Sequence, residues 1–132
     1  AQGRPYGLVR MGTVPEQSLA GFASFVKQAL SCPGVRFADA GKSVRKVAVG
    51  GGSCGSEIDA VLAAGCDTFV TADLKYNQFE EAKYRGLNLI DAGHFETEDP
   101  VCEVLAMLLR ERFPELRVLK STVHRNETQF FG

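Results

Sequence analysis

The stretch Asp91-Ala92-Gly93-His94-Phe95-Glu96-Thr97-Glu98 places an imidazole and a carboxylate four residues apart, just past an apolar run that reads as a buried strand. If the loop turns into a helix there, His94 and Glu98 face the same way. A neutral imidazole with a carboxylate is an ordinary donor pair for zinc, manganese or iron. The same residues are also compatible with a solvated histidine or a helix-cap contact. His124, the other histidine, lies in a polar tail and is a poor candidate ligand.

A glycine loop is the second feature. Gly50-Gly51-Gly52-Ser53-Cys54-Gly55 fits G-x-G-x-x-G between a strand and a helix. Backbone amides of Gly51, Gly52 and Ser53 would then cradle a phosphate at a helix N-terminus. A tight turn without a ligand satisfies the same letters, and no Gly-Lys-Ser/Thr follows to make a Walker A loop. Asp73 is the third feature, with Lys75, Tyr76 and Asn77 after it. At the end of a strand it would hold a ribose, orient a ligand or accept a proton from water. Capping the helix that begins near Tyr76 is the structural alternative. Cys54 is either a reactive thiol or a small residue filling the turn.

The elements that must position these groups follow from periodicity. Residues 7–12 read as a short strand, and Pro15 leads to Ser18 as a helix N-cap. Leu19, Phe22, Phe25, Val26, Ala29 and Leu30 form one apolar stripe, stopped by Pro33-Gly34. Residues 35–38 alternate as a half-buried strand, and 46–49 form a β run into the glycine loop. A helix follows with Ile58, Val61 and Leu62 inward and Gly65 at its end. Residues 68–71 are the next strand, 76–85 a helix with Phe79 and Ala82 inward, and 87–90 a buried strand. The longest helix spans 100–113, with Val101, Val104, Leu105, Leu108 and Leu109 as its core face; 116–120 reads as a last strand. Alternating strands and helices predict an α/β layered sandwich, its sheet mostly parallel or mixed and flanked by helices.

Composition narrows the classes. The chain has 132 residues, enough for a single domain with a real core. Lys plus Arg (15) nearly balance Asp plus Glu (16), so the net charge of −1 offers no footprint for nucleic acid or an anionic membrane. No apolar run approaches the roughly 20 residues that span a bilayer. Cys32, Cys54, Cys66 and Cys102 make no CxxC pair, and reduced thiols in a cytoplasmic protein are the simpler reading. The start Ala1-Gln2-Gly3-Arg4-Pro5 suggests the middle of a longer chain.

Three strings occur together in order: Val47-Ala48-Val49-Gly50-Gly51-Gly52-Ser53, Thr71-Ala72-Asp73-Leu74-Lys75-Tyr76 and Asp91 to Glu98. With them the chain resembles the C-terminal half of the Nif-three-like proteins, also called GTP cyclohydrolase I type 2 homologs. The resemblance covers nearly the whole chain, 1–132. It implies one half of a two-half α/β fold, with a dinuclear metal site shared between the halves. It also implies ring-shaped self-association, commonly hexamers, with the metals facing an inner cavity. The family motif Gly-His-x-x-Thr/Ser-Glu maps onto His94 and Glu98 as metal ligands. The remaining ligands of the family, paired histidines and an aspartate, belong to the N-terminal half. Ala72 stands where the family usually has glycine, and Asn77 where histidine is common.

Three functions follow as expectations. The first is a metal-binding protein acting as a dinuclear-metal-dependent hydrolase on a phosphate- or nucleotide-like substrate. This chain would then supply only His94 and Glu98, hold metal weakly or not at all by itself, and be inactive alone; no catalytic residue is assigned. The second is a nucleotide-binding module built on Gly50–Gly55 and Asp73. The third is a non-catalytic assembly or regulatory protein with a structural metal.

Overall fold

The computed structural model describes residues 7–131. β1 (Arg10–Gln17) leads through the Ser18 cap into α1 (Leu19–Ala29), and Ser18 Oγ accepts the Gly21 N–H at 3.1 Å. β2 (Arg36–Ala38) and β3 (Val44–Val49) follow, then a 3-10 turn (Gly55–Glu57) and α2 (Ile58–Ala63). β4 (Thr68–Thr71), α3 (Tyr76–Tyr84), β5 (Asn88–Asp91), α4 (His94–Glu98) and α5 (Pro100–Arg112) complete the order. The sheet runs β1-β3-β4-β5-β2. Its centre, β3-β4-β5, is parallel, while β1 and β2 pair antiparallel on the two edges. The sheet is therefore mixed.

Strand alternation decides the two core layers. Val47, Val70 and Ile90 point to one face and pack with Leu19, Phe22, Ala23 and Val26 of α1. Their neighbours Ala48, Phe69 and Leu89 point to the other and pack with Ile58 and Val61 of α2 and Ala82 of α3. A central strand covered on both faces is apolar along its middle, which is why these runs read as continuous rather than alternating; the buried Thr68, Thr71, Asn88 and Asp91 fall at the strand ends. Among the described residues no helix is long and apolar enough to cross a membrane.

Four expectations are corrected. β1 begins at Arg10, not Gly7, and continues through Pro15, where its register against β3 shifts between Thr13 and Gln17; an edge strand at a bulge tolerates the missing N–H. Phe25 lies outside the core, exposed and stacked on Phe22. Residues 116–120 form no strand. The segment lies along α5 instead of joining the sheet, with Arg110 Nη2 donating to the Val118 carbonyl and Lys120 bonding Asp99. The stripe Val101, Val104, Leu105, Leu108 and Leu109 does not face the core. Each of these residues is 42–52% exposed, while Ala106 is the buried one. Helical periodicity states which residues share a face; it does not state what covers that face.

Candidate metal and ligand site

The three parallel strands end side by side, so the loops after β3, β4 and β5 converge. The Ala72 N–H donates to the Gly52 carbonyl, and the Ala92 N–H to the Thr71 carbonyl, both at 2.9 Å. Thr71 Oγ1, fully buried, donates to the Gly52 carbonyl and accepts the Cys54 N–H, locking the glycine loop onto β4. On the other side Gly52 N–H donates to Thr97 Oγ1 at 2.9 Å, which ties the loop to α4. The Gly52 amide of the loop is thus spent on a threonine. Ser53 is exposed, and the chain passes through the 3-10 turn before α2 starts. Cys54 is buried, its thiol donating to the Gly51 carbonyl at 3.3 Å, in keeping with a residue that fills the turn.

His94 opens α4, and Glu98 closes the same five-residue helix. His94 Nδ1 lies 2.6 Å from Asp73 Oδ2, and Nε2 lies 3.2 Å from Glu98 Oε2. Asp73 takes this position at a left-handed φ of 54°, and Lys75, not Asp73, caps α3. Asn77 is exposed on the first turn of α3, and Ala72 is fully buried. The carboxylate of Asp73 can only accept, so Nδ1 carries the proton and Nε2 is left to face Glu98. An unprotonated Nε2 so near a carboxylate oxygen is repulsive unless a proton or a cation sits between them. Two donors on one tetrahedral ion at roughly 2.1 Å lie about 3.4 Å apart, so the pair fits in type and spacing. It is only part of a shell: among the described residues no group of three His, Cys, Asp or Glu is placed to hold a metal ion.

Gly52 makes this approach possible. It has a φ of 62°, and a Cβ there would overlap Glu98 Oε1 and stand 3.0 Å from His94 Nε2. Gly52→Ala is therefore expected to lower stability by about 1–2 kcal/mol from the left-handed backbone alone, and to push Glu98 away from His94. Urea unfolding checks the first effect and metal content the second.

The hydrogen bond to Asp73 raises the His94 pKa above its ordinary value; the charges of Glu98 and Asp73 add to this and partial burial opposes it. Carboxylates stabilise the protonated ring. Their contribution to stability is complete below the ordinary imidazole pKa and is lost as pH rises through the raised one. His94 is half-exposed, so solvent screening keeps that contribution small. Protons also compete with metal for Nε2, so acidification should weaken metal binding. In Asp73→Asn the His94 midpoint, followed by NMR in metal-free protein, should fall back towards the ordinary value. An unchanged midpoint would exclude Asp73 as the cause.

Beside this pair lies a cavity of about 270 Å³, lined among others by Arg36, Asp73, Asp91, His94, Glu96 and Asn126. Asp91 is its structural post. It is buried at the end of β5, accepts the Leu74 and Gly93 N–H groups at 3.0 and 3.2 Å, and pairs with Arg36. Asp91 stood in the chemistry-bearing string and a buried strand-end acid was the available signal. Glu96 stood in that string too, without a role; Arg36 and Asn126 carried no signal, because β2 and the tail reach the site only through tertiary folding.

The Duf34/NIF3 (NGG1p interacting factor 3) family model matches residues 3–127. The chain belongs to that family. It is 39% identical over 108 residues to a GTP cyclohydrolase 1 type 2 homolog of Nostoc, covering 79% of this chain and 41% of that protein. The Staphylococcus aureus protein of the same name is 37% identical, over 95% of this chain and 36% of its own length. The crystal structure of hypothetical protein SA1388 from Staphylococcus aureus superposes with a TM-score of 0.86 at 31% identity, over 96% of this chain and 44% of that one. This Duf34/NIF3 chain thus spans less than half the length of the relatives it matches.

Proposed function

We propose that this Duf34/NIF3 chain contributes His94 Nε2 and Glu98 to a divalent metal site, zinc, manganese or iron, whose other donors lie outside the described residues. The observation that carries the reading is the line Asp73–His94–Glu98 over Gly52: one ring nitrogen is held by an acceptor-only carboxylate and the other faces a second carboxylate at 3.2 Å. Asp73 fixes the tautomer and the ring plane, and Thr97 holds Gly52 in place beneath them. When bound, the metal would supply Lewis acidity to a hydrolysis, two ions per site in the longer protein. The substrate class in this reading is phosphate- or nucleotide-like, and rings of copies, hexamers in the family resemblance, are the assembly it implies.

The reading as a metal protein is favoured over a nucleotide module because Gly52 N–H and Asp73 are already engaged, by Thr97 and His94. Metal analysis tests it. Protein of the length of its relatives should purify with divalent metal, and the 132-residue chain with little. Metal-free long protein that gains none on incubation with zinc or manganese would overturn the reading. Tight stoichiometric metal on the short chain would overturn the claim that donors are shared. Saturable micromolar NAD(H) binding by this chain would instead favour the nucleotide module.

A further inference from the structure

Glu96 sits between His94 and Glu98 in sequence but points elsewhere. The residue is only 8% exposed, yet Oε2 has no hydrogen-bond partner among the described residues. Oε1 accepts one bond, from Asn126 Nδ2 at 2.8 Å. Asn126 belongs to a tail without helix or strand that lies over the cavity: His124 packs on Phe95 with ring centroids 5.2 Å apart, and Phe130 covers Gly34. A buried carboxylate oxygen left without a donor is costly, and native proteins rarely keep one without a reason. No side chain around the cavity offsets it. The wall residues named above hold three carboxylates, Asp73, Asp91 and Glu96, against the single guanidinium of Arg36, and Arg36 is turned to Asp91.

We infer that Glu96 is the recognition group of a binding site for a planar ligand edge carrying two parallel N–H donors: an amidinium, a guanidinium, or the N–H edge of a guanine. Such an edge satisfies both carboxylate oxygens at once, which one asparagine amide cannot do. Asn126 is its placeholder: its side chain supplies one N–H while the site is empty and swings aside when the ligand enters. Phe95 and Phe130 line the same cavity and offer faces for a planar or cationic group. The cavity is a little below the roughly 300–1,000 Å³ that receives drug-sized ligands, so it takes a single-ring fragment or one end of a larger molecule. The site does not need metal at His94 and stands apart from that reading.

Calorimetric titration of the intact protein, stripped of metal with a chelator, tests it in three arms that separate the sources of the edge. Benzamidine is compared with benzamide, arginine with citrulline, and guanosine monophosphate with inosine monophosphate, which lacks the exocyclic amine. In at least one arm the first compound should bind saturably, and about ten- to hundredfold tighter than its control. In that arm Glu96→Gln should lose the difference, and Asn126→Ala should bind equally or more tightly. No saturable binding in any arm, or equal binding of each pair, overturns the site without touching the metal reading. Equal losses in Asn126→Ala and Glu96→Gln overturn the displacement. Because the paired compounds are compared on the unaltered protein, the result does not depend on whether a variant folds.

Discussion

His94→Ala and Glu98→Ala, each introduced into the protein at the length of its relatives, are expected to purify with only a small fraction of the parent's metal, while Cys54→Ala keeps all of it. The contrast follows from position. His94 Nε2 and Glu98 Oε2 face one another across 3.2 Å, and removing either leaves one donor of this helix with nothing to share an ion with. The Cys54 thiol is buried against the Gly51 carbonyl, in the turn below them. Both side chains are half-exposed, so their truncation should leave the fold intact, which circular dichroism and urea unfolding would verify. Asp73→Asn is the graded case: the ring loses its acceptor partner but no ligand, and affinity should fall about 10- to 100-fold rather than vanish. Full metal content in both His94→Ala and Glu98→Ala would refute the assignment.

Asp91→Ala should produce the largest loss of stability near the site, about 2–4 kcal/mol. Its carboxylate accepts the Leu74 and Gly93 N–H groups as well as Arg36. A hydrogen bond to a charged acceptor contributes about 1.5–3 kcal/mol, and the buried Leu74 amide would be left without a partner. Arg36 is the exposed partner, with 63% of its side chain in solvent; its removal opens Asp91 to water while the Leu74 and Gly93 N–H groups still hold the carboxylate. Arg36→Ala should therefore lose no more than about 1 kcal/mol. In urea, with a slope of roughly 1–3 kcal/mol per molar, Asp91→Ala should move the midpoint down by about 1 M or more and Arg36→Ala by a fraction of that. Equal shifts for the two would mean that the ion pair, not the backbone amides, dominates at Asp91.

Much of the fold was legible because its central strands are short apolar runs bounded by turn residues. Residues 68–71 and Thr68–Thr71 coincide, and 46–49 lies inside β3. The Ser18 cap and the glycines at 65 and 86, both at positive φ, mark helix ends by local chemistry that needs no tertiary partner. The failures share a different cause. Leu116 to Lys120 has strand-like letters, but a strand needs a partner strand, and this segment is held instead by Arg110 on the Val118 carbonyl and by Lys120 on Asp99. The α5 stripe has perfect helical spacing and yet stays about half-exposed.

The site divides in the same way. His94 and Glu98 were visible as a pair because their relation is local, four residues along one helix, and the three ordered strings carried the family. Asp73 was visible as a candidate, but not that it would leave the cap of α3 to Lys75 and hold His94 Nδ1 at 2.6 Å. Arg36 on Asp91 and Asn126 on Glu96 join residues 55 and 30 positions apart. The sequence by itself determined the spacing of the two donors and the apolar strands beneath them, because each depends on neighbours within a few residues. Only the tertiary structure decided which acids meet the imidazole, which glycine they close over and which carboxylate is left half satisfied, because those contacts depend on how β2, the β4 loop and the tail pack around the end of β5.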